Sequence, residues 1–350
     1  MKKLSWFNKV MLFFNMVLTV LTFVAYILPF LAPNIFPILS VFTLLLPLML
    51  VFNFLFFLYW LLQFKKQMLL SGIVLLLGIT FISKFYKFSQ EELPVHQDDF
   101  TLMSYNVRMF NLYKWVPNAN ITDSIKSFVR KHNPDVLCFQ EYAPLDNVYF
   151  NNYKHKYIFS SEDTHKTGQA IYSKFPIVSK GDIKFPNSSN NVIYADLKKG
   201  NDTIRVYSMH MQSIKISPDI HETIDEEKSK VIFKRLSEAF TKQQLQAELI
   251  EKHKKECKYP VIICGDLNNS AFSYVYRSVK GDMNDVFEEV GSGFGKSYNF
   301  KYYPARIDYV FSDDNFEIKS FTTFDTIVNS DHFPIMARMA ITPVTERQKE

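Results

Sequence analysis

The chain is poor in cysteine and carries no acid in its first ninety residues, and both scarcities exclude classes of protein. Three cysteines occur in 350 residues. Cys138 and Cys264 fall inside apolar, strand-like runs and Cys257 on a charged helical stretch, so they imply no disulfide framework. A zinc site needs His or Cys ligands grouped at short spacings. His96, His132, His155, His165, His221 and His253 have no such context, and repeats and low-complexity tracts are absent. Before Pro94 the only acids are Glu91 and Glu92, and Val10 to Phe64 contains no charged residue at all.

A bilayer-spanning helix needs about 20 apolar residues, so this uncharged stretch predicts two. Pro29, Pro33 and Pro37 mark the break, since each would interrupt backbone hydrogen bonding in lipid. A third apolar run, Gln67 to Ser83, is flanked by Lys65, Lys66, Lys84 and Lys87 and by Phe85, Tyr86 and Phe88, as at a membrane interface. The expected membrane region is 1–93, with three spans at about 10–32, 37–63 and 67–85. A cleaved signal peptide is too short to explain it, and a soluble bundle would need a polar face. Lys2, Lys3 and Lys9 precede the first span and Lys65 with Lys66 the third, which places the N-terminus and second loop inside and everything after the third span outside. Lys84 and Lys87 run against that orientation.

The remaining 94–343, followed by a polar tail at 344–350, is long enough for one α/β or two-sheet domain. Of 40 Lys and Arg, 7 precede Pro94, leaving 33 against 33 acids in the soluble part. Such a neutral domain is unlike a strong nonspecific nucleic-acid binder, whose affinity comes from many phosphate contacts. Strands are expected at 100–105, 135–139, 170–173, 192–197, 203–210, 261–264, 307–312, 318–324 and 335–341. Helices are expected at 122–132, starting at Thr122, and at 226–256. The second places Ile232, Leu236, Phe240, Gln243, Ala247 and Ile250 on one stripe, the pattern of a helix covering a sheet.

Polar signatures sit where these strands end. Asn106 follows Leu102–Tyr105, Glu141 follows Val136–Phe139, His210 ends Val206–Met209, and Asp266 with Asn268 follow Val261–Cys264. Asp308 is expected inside a strand. Strand ends on one sheet edge converge their side chains on one crevice. Near the C-terminus, Ser330-Asp331-His332-Phe333-Pro334 adds a carboxylate next to an imidazole. Carboxylates, amides and imidazoles together supply the parts of metal-assisted phosphoester hydrolysis: ligands for a divalent cation, a base for water, and donors to the transition state. Singly, an Asn or Asp after a strand is usually a turn residue and a lone Glu is usually solvated.

In their order, Ser104-Tyr105-Asn106-Val107-Arg108, Gln140-Glu141, His210, Gly265-Asp266-Leu267-Asn268, Asp308 and Ser330-Asp331-His332-Phe333-Pro334 resemble the endonuclease/exonuclease/phosphatase superfamily, in what looks like a bacterial membrane-anchored branch. The resemblance implies a DNase I-like, four-layer α/β/β/α sandwich, here preceded by the membrane region. It implies Glu141 as chief Mg²⁺ ligand, with Asn106 and Asp331 beside it and Mn²⁺ as an alternative ion. Asp266 would orient or deprotonate water, Asn268 would donate to a phosphoryl oxygen, Asp308 would hold His332 for acid-base work, and His210 would add a donor. Arg306 is a weaker candidate for fixing Asp308 or the phosphate.

The expected protein is therefore a divalent-metal-dependent phosphoester hydrolase, integral and multi-pass in the cytoplasmic (inner) membrane, with its catalytic domain on the extracytoplasmic side and no obligate protein partner evident. Pro304-Ala305-Arg306-Ile307-Asp308-Tyr309 lacks the Trp-Cys-Asp-Arg run of inositol phosphatases, and Tyr142-Ala143-Pro144 lacks the Lys of abasic-site enzymes. A nuclease-type phosphodiesterase is the favoured reading, a sphingomyelinase-like phospholipid phosphodiesterase the alternative. A non-catalytic binding module is a third, disfavoured because no motif residue is missing. The segment 213–228 is expected to form a lid or rim.

Overall fold

The computed structural model describes residues 4–88, 92–117, 120–160, 167–214 and 226–342. The polar tail and most of the expected lid, 215–225, lie outside the described residues. Helix α1 (Trp6–Ile27) begins at Ser5, whose hydroxyl accepts from the Asn8 N–H, and ends in a 3₁₀ turn, Leu28–Phe30, that contains Pro29. After the proline-rich corner come α2 (Pro37–Val41), a 3₁₀ turn (Phe42–Leu45) and α3 (Leu46–Leu62). Two stretches, Trp6–Phe30 and Pro37–Leu62, are long and apolar enough to cross a membrane.

The expected third span is not a single helix. It divides into α4 (Met68–Leu77) and α5 (Ile79–Phe85), bent by 64°. Tyr26 packs against the bend. Its hydroxyl donates to the Val74 carbonyl at 2.9 Å and fills the space beside Gly78, where a Cβ would meet it at 2.1 Å. Polar pairs join the helices: the Asn15 amide donates to Ser71 at 2.7 Å and accepts from the Trp60 indole at 3.0 Å, and Asn53 donates to Thr22 at 2.9 Å. Large apolar side chains such as Phe13, Phe14, Val20 and Leu55 stand exposed on the outside, as on a lipid-facing surface.

The soluble part folds as two six-stranded sheets. The first, ordered β11-β12-β1-β2-β4-β3, contains β1 (Phe100–Asn106), β2 (Val136–Tyr142), β3 (His155–Ser160), β4 (Gly168–Ser173), β11 (Phe316–Thr323) and β12 (Ile335–Ile341). The second, ordered β5-β6-β7-β8-β10-β9, contains β5 (Ile177–Lys184), β6 (Asn191–Lys199), β7 (Asp202–His210), β8 (Val261–Asp266), β9 (Asn284–Asp285) and β10 (Asp308–Ser312). Between the sheets Leu102, Val136, Cys138, Ile193, Val206 and Cys264 are fully buried. On one outer face α6 (Ile121–His132) packs Ile125, Phe128 and Val129 against Met103, Leu137 and Phe139. On the other, α7 (Glu226–Lys255) and α8 (Tyr274–Lys280) pack Ala247, Ile250, Val275 and Val279 against Tyr207, Ile263 and Tyr309. A short helix, α9 (Val286–Val290), seals one edge. These are the four layers expected.

Several boundaries differ from expectation for local reasons. Helix α6 is capped by Asn120, which accepts from the Asp123 N–H, and so starts before Thr122. Cys257 lies beyond the end of α7. The stripe on α7 splits: Phe240, Gln243, Ala247 and Ile250 are buried, while Ile232 and Leu236, nearer its start, are only partly covered.

The N-terminal apolar segment docks directly on the two-sheet domain. The Asn34 N–H donates to Gln244 on α7 at 2.9 Å, Arg306 donates to the Lys84 carbonyl at 3.2 Å, and Lys87 and Gly293 exchange backbone hydrogen bonds of 2.8 Å. Phe272 enters an apolar cluster with Ala25, Leu46 and Leu50.

Candidate active site

Strand direction explains the convergence. β1 runs parallel to β2, and β7 to β8, so Asn106, Glu141, His210 and Asp266 arrive together at C-terminal ends. β10 is antiparallel to β8 with Asp308 opposite Asp266. Asp308 is thus the first residue of its strand rather than an interior one, and a strand start meets the strand ends. β12 is likewise antiparallel to β1, which brings Asp331 and His332, just before it, to the same edge.

Local backbone strain aims two of these side chains. The pairing of β2 with β4 shifts register between Phe139 and Tyr142, leaving Glu141 in a bulge with φ 48°, and Asn268 has φ 52°. Non-glycine residues in this region are uncommon and gather at functional sites. Gly265 has φ 127°, and a Cβ there would lie 2.1 Å from the Met209 carbonyl oxygen, so only glycine permits this approach of β8 to β7.

His332 Nδ1 donates to Asp308 Oδ2 at 2.9 Å, and its Nε2 lies 3.7 Å from Asp266 Oδ2. Asp266 also accepts from Asn106 Nδ2 at 3.1 Å, from Asn268 Nδ2 at 2.9 Å and from the Asn268 N–H at 2.8 Å. His210 Nε2 sits 3.7 Å from Glu141 Oε1 and 3.9 Å from Asp266 Oδ2; it is buried without a hydrogen-bond partner. Asn268 has its second amide proton on the Met211 carbonyl at 3.1 Å, so in this arrangement both its protons are already engaged.

Burial would push the His332 imidazole down, but Asp308 and then Asp266 override it and hold it up at about 10. His210 goes the other way, to about 3, through burial first and the charge of His332 second. At neutral pH one imidazole is charged and its neighbour neutral. Burial raises Glu141 and Asp266, partly offset in both by His332. The proton between His332 and Asp266 belongs with His332, because Asp308 adds its charge on that side.

Two residues without assigned roles in the sequence reading also reach the site. Arg108 Nη1 lies 3.3 Å from Asp331 Oδ2, its guanidinium 4.5 Å from the centre of the Trp115 ring. Tyr298 packs edge-on against His332 with ring centroids 4.9 Å apart. Arg108 stands in the motif after Asn106, a signal that was available; nothing local marks Tyr298. Arg306 is elsewhere. It binds Asp285 at 2.7 Å and stacks on Phe287 and Tyr309, so it fixes neither Asp308 nor a phosphate.

A cation fits this crevice. Among the described residues, Glu141, Asp266, Asp308 and Asp331 converge with His332 and Arg108 to balance them, and the unpaired His210 Nε2 points among them. The tightest group of ligand atoms is Asp266, Asp308 and His332, all within 4.8 Å of one another. That is a different set from Glu141, Asn106 and Asp331. In the tight group, however, His332 Nδ1 and Asp308 are already joined by a hydrogen bond. Glu141 and Asp331 instead offer hard oxygens of the kind Mg²⁺ prefers, with the Asn106 amide oxygen, which accepts the Arg108 N–H at 3.1 Å, between them in role.

Residues 103–332 match the Endonuclease/Exonuclease/phosphatase family. The chain belongs to that family. Residues 8–85 match a second family, described only as a domain of unknown function. No curated protein matches the chain. Solved structures similar to it include the catalytic domain of human Nocturnin with bound sulfate, at 15% identity and TM-score 0.54, covering 72% of this chain and 97% of that one. The D. rerio TDP2 structure with a single-strand DNA product aligns at 17% identity and TM-score 0.52, covering 69% and 99%. A mannosyl-6-phosphatase of Bacteroides thetaiotaomicron aligns at 19% identity and TM-score 0.50, covering 69% and 100%. At these identities the likeness concerns the fold of the family.

Proposed function

We propose that this member of the endonuclease/exonuclease/phosphatase family is a divalent-cation-dependent phosphoester hydrolase anchored in a membrane. The observation that carries the reading is the excess of buried carboxylate around a charged His332 and an unpaired, neutral His210 at one strand edge. Glu141, Asn106 and Asp331 would hold the cation, whose charge would neutralise a bound phosphate and polarise it. Asp266, raised by burial, accepts a proton from water at neutral pH while Asn106 and Asn268 fix its orientation. His332, charged and held by Asp308, donates to a phosphoryl oxygen rather than acting as the base. His210 adds a neutral imidazole on the Glu141 side.

The docking geometry supports an extracytoplasmic catalytic domain. Along α1, Asn8 meets Tyr59 and Gln63 at one end, while Tyr26 at the other meets Phe81 of α5. Gln244 of the catalytic domain binds Asn34, at the corner between the two long helices. That corner is the end opposite Lys65 and Lys66, the lysines expected on the cytoplasmic side.

The test is hydrolysis by the full chain in nanodiscs, with Mg²⁺ or chelator, of bis-p-nitrophenyl phosphate, plasmid DNA, RNA and phospholipid. Metal-dependent turnover lost in His332→Ala supports the reading. Absence of turnover on every phosphoester, with metal present, leaves the binding module in its place. For sidedness, an impermeant thiol reagent on intact cells should label a cysteine introduced at exposed Tyr302; labelling only after lysis would reverse the orientation.

A further inference from the structure

The catalytic crevice does not end at its polar groups. It is one end of a cavity of about 480 Å³, within the range of small-molecule sites. Glu141, Asp266, Asp331 and His332 lie at the polar end. The other end is walled by the membrane segment and by α7: Leu44, Leu45 and Pro47 lead into α3, Phe85 ends α5, and Ile232 with Leu236 come from the partly covered start of α7.

Phe294, Phe300 and Tyr302 in the lining offer rings for stacking, but a nucleic-acid strand also calls for a cationic track, which Leu44, Leu45, Pro47, Ile232 and Leu236 do not supply. Among the described residues that line the cavity, Arg306 is bound to Asp285, Lys84 is set over the Tyr276 ring at 4.8 Å, and the charged His332 is held by Asp308. What the wall offers is apolar surface continuous with the reacting centre, built from the residues that join the cavity to the lipid-facing helices. An occupant must therefore place a phosphoester at one end and hydrocarbon at the other.

We propose that the wall formed by the membrane segment and α7 binds the apolar chain of an amphiphilic phosphoester, making the membrane segment part of the substrate site as well as an anchor. The proposal rests on the hydrolase reading and deepens it by naming the substrate class. The hydrolytic step is ordinary: water adds to phosphorus, the P–O bond to the leaving group breaks, one proton of the water passes to the departing oxygen, and the alkyl phosphate retains the chain.

The experiment uses the full chain in nanodiscs with Mg²⁺ and three diesters, methyl, butyl and octyl p-nitrophenyl phosphate, each below its micelle concentration. kcat/KM should rise at least tenfold from methyl to octyl. Leu44→Trp and Leu236→Trp, which fill the wall from two separate elements, should remove that gain, lowering octyl-ester kcat/KM at least tenfold more than methyl-ester kcat/KM. Simple partitioning of octyl ester into lipid would be untouched by either variant. Equilibrium binding of methyl- and octylphosphonate to the same proteins provides a second readout that needs no turnover. An octyl preference in binding, abolished by the tryptophans, supports the proposal even where no ester is cleaved, an outcome that would sink the hydrolase reading alone. Turnover with a flat chain-length series, or a preference that both variants leave intact, overturns the chain site and leaves the hydrolase reading standing. Equal loss on methyl and octyl esters would also count against it, since the wall would then matter only to the fold. Plasmid nicking that outpaces every diester would put a nucleic acid in its place.

Discussion

Buried polar groups are used in opposite ways at the two ends of this molecule. Between the N-terminal apolar helices, Asn15 satisfies both ends of its amide with Ser71 on α4 and Trp60 on α3, and Asn53 donates to Thr22 across α3 and α1, though its own Oδ1 and the Thr19 hydroxyl are left without a partner. In the crevice, four carboxylates crowd two imidazoles, and the His210 Nε2 is left with no partner. Polar atoms that meet one another hold helices together; a polar atom left over inside a cluster of converging carboxylates, at a cost in desolvation, is aimed at something that binds.

The sharpest way to break this contrast is Glu141→Gln. It should abolish metal-dependent hydrolysis and Mg²⁺ binding by titration calorimetry, while thermal unfolding in chelator stays within about 1 kcal/mol. Retained Mg²⁺ binding would move the cation to Asp266, Asp308 and His332. Next in size, His332→Ala should lower kcat by on the order of a hundredfold or more. A change confined to KM would remove His332 from proton transfer.

The pH dependence of stability is a smaller effect with a definite sign. An unfolded histidine titrates near 6.5, whereas His332 in the folded chain is held up at about 10. Its contribution is full below about pH 6.5 and is lost as the pH rises toward 10. In chelator, the wild-type melting temperature should therefore fall across that window more steeply than that of His332→Gln. Parallel slopes would mean that Asp308 and Asp266 do not hold the proton there. Smallest of all, Asn15→Leu should cost about 1 kcal/mol of stability and leave kcat alone. A collapse in turnover would show that the helix contacts tune the crevice, erasing the distinction.

Much of the fold was legible because the central strands are strongly apolar and their ends carry the motifs. The strands missed, β3, β5 and β9, are edge strands or very short; β5, with Ser179, Lys180 and Lys184, is half exposed and shows no long apolar run. The bend at Gly78 was hidden because Tyr26, which packs against it, lies some fifty positions away. Asn268 was legible as a site residue, but the engagement of its amide with Met211 depends on a fold contact that no motif encodes. Periodicity on α7 showed an apolar face and was silent on its partner: Ala247 and Ile250 cover the sheet, whereas Leu236 faces the cavity beside the membrane segment.

The double attachment of the catalytic domain, through Asn34 to Gln244 and through Lys87 to Gly293, has a kinetic meaning. A domain swinging on one flexible tether samples a volume; with the apolar helices in a bilayer, as proposed, a domain clamped at two points keeps its crevice at a fixed height and tilt over it. Encounter with anything dissolved in that bilayer then becomes a search over a plane, and the concentration that governs its rate is counted per unit area, as mole fraction in the lipid, instead of per litre.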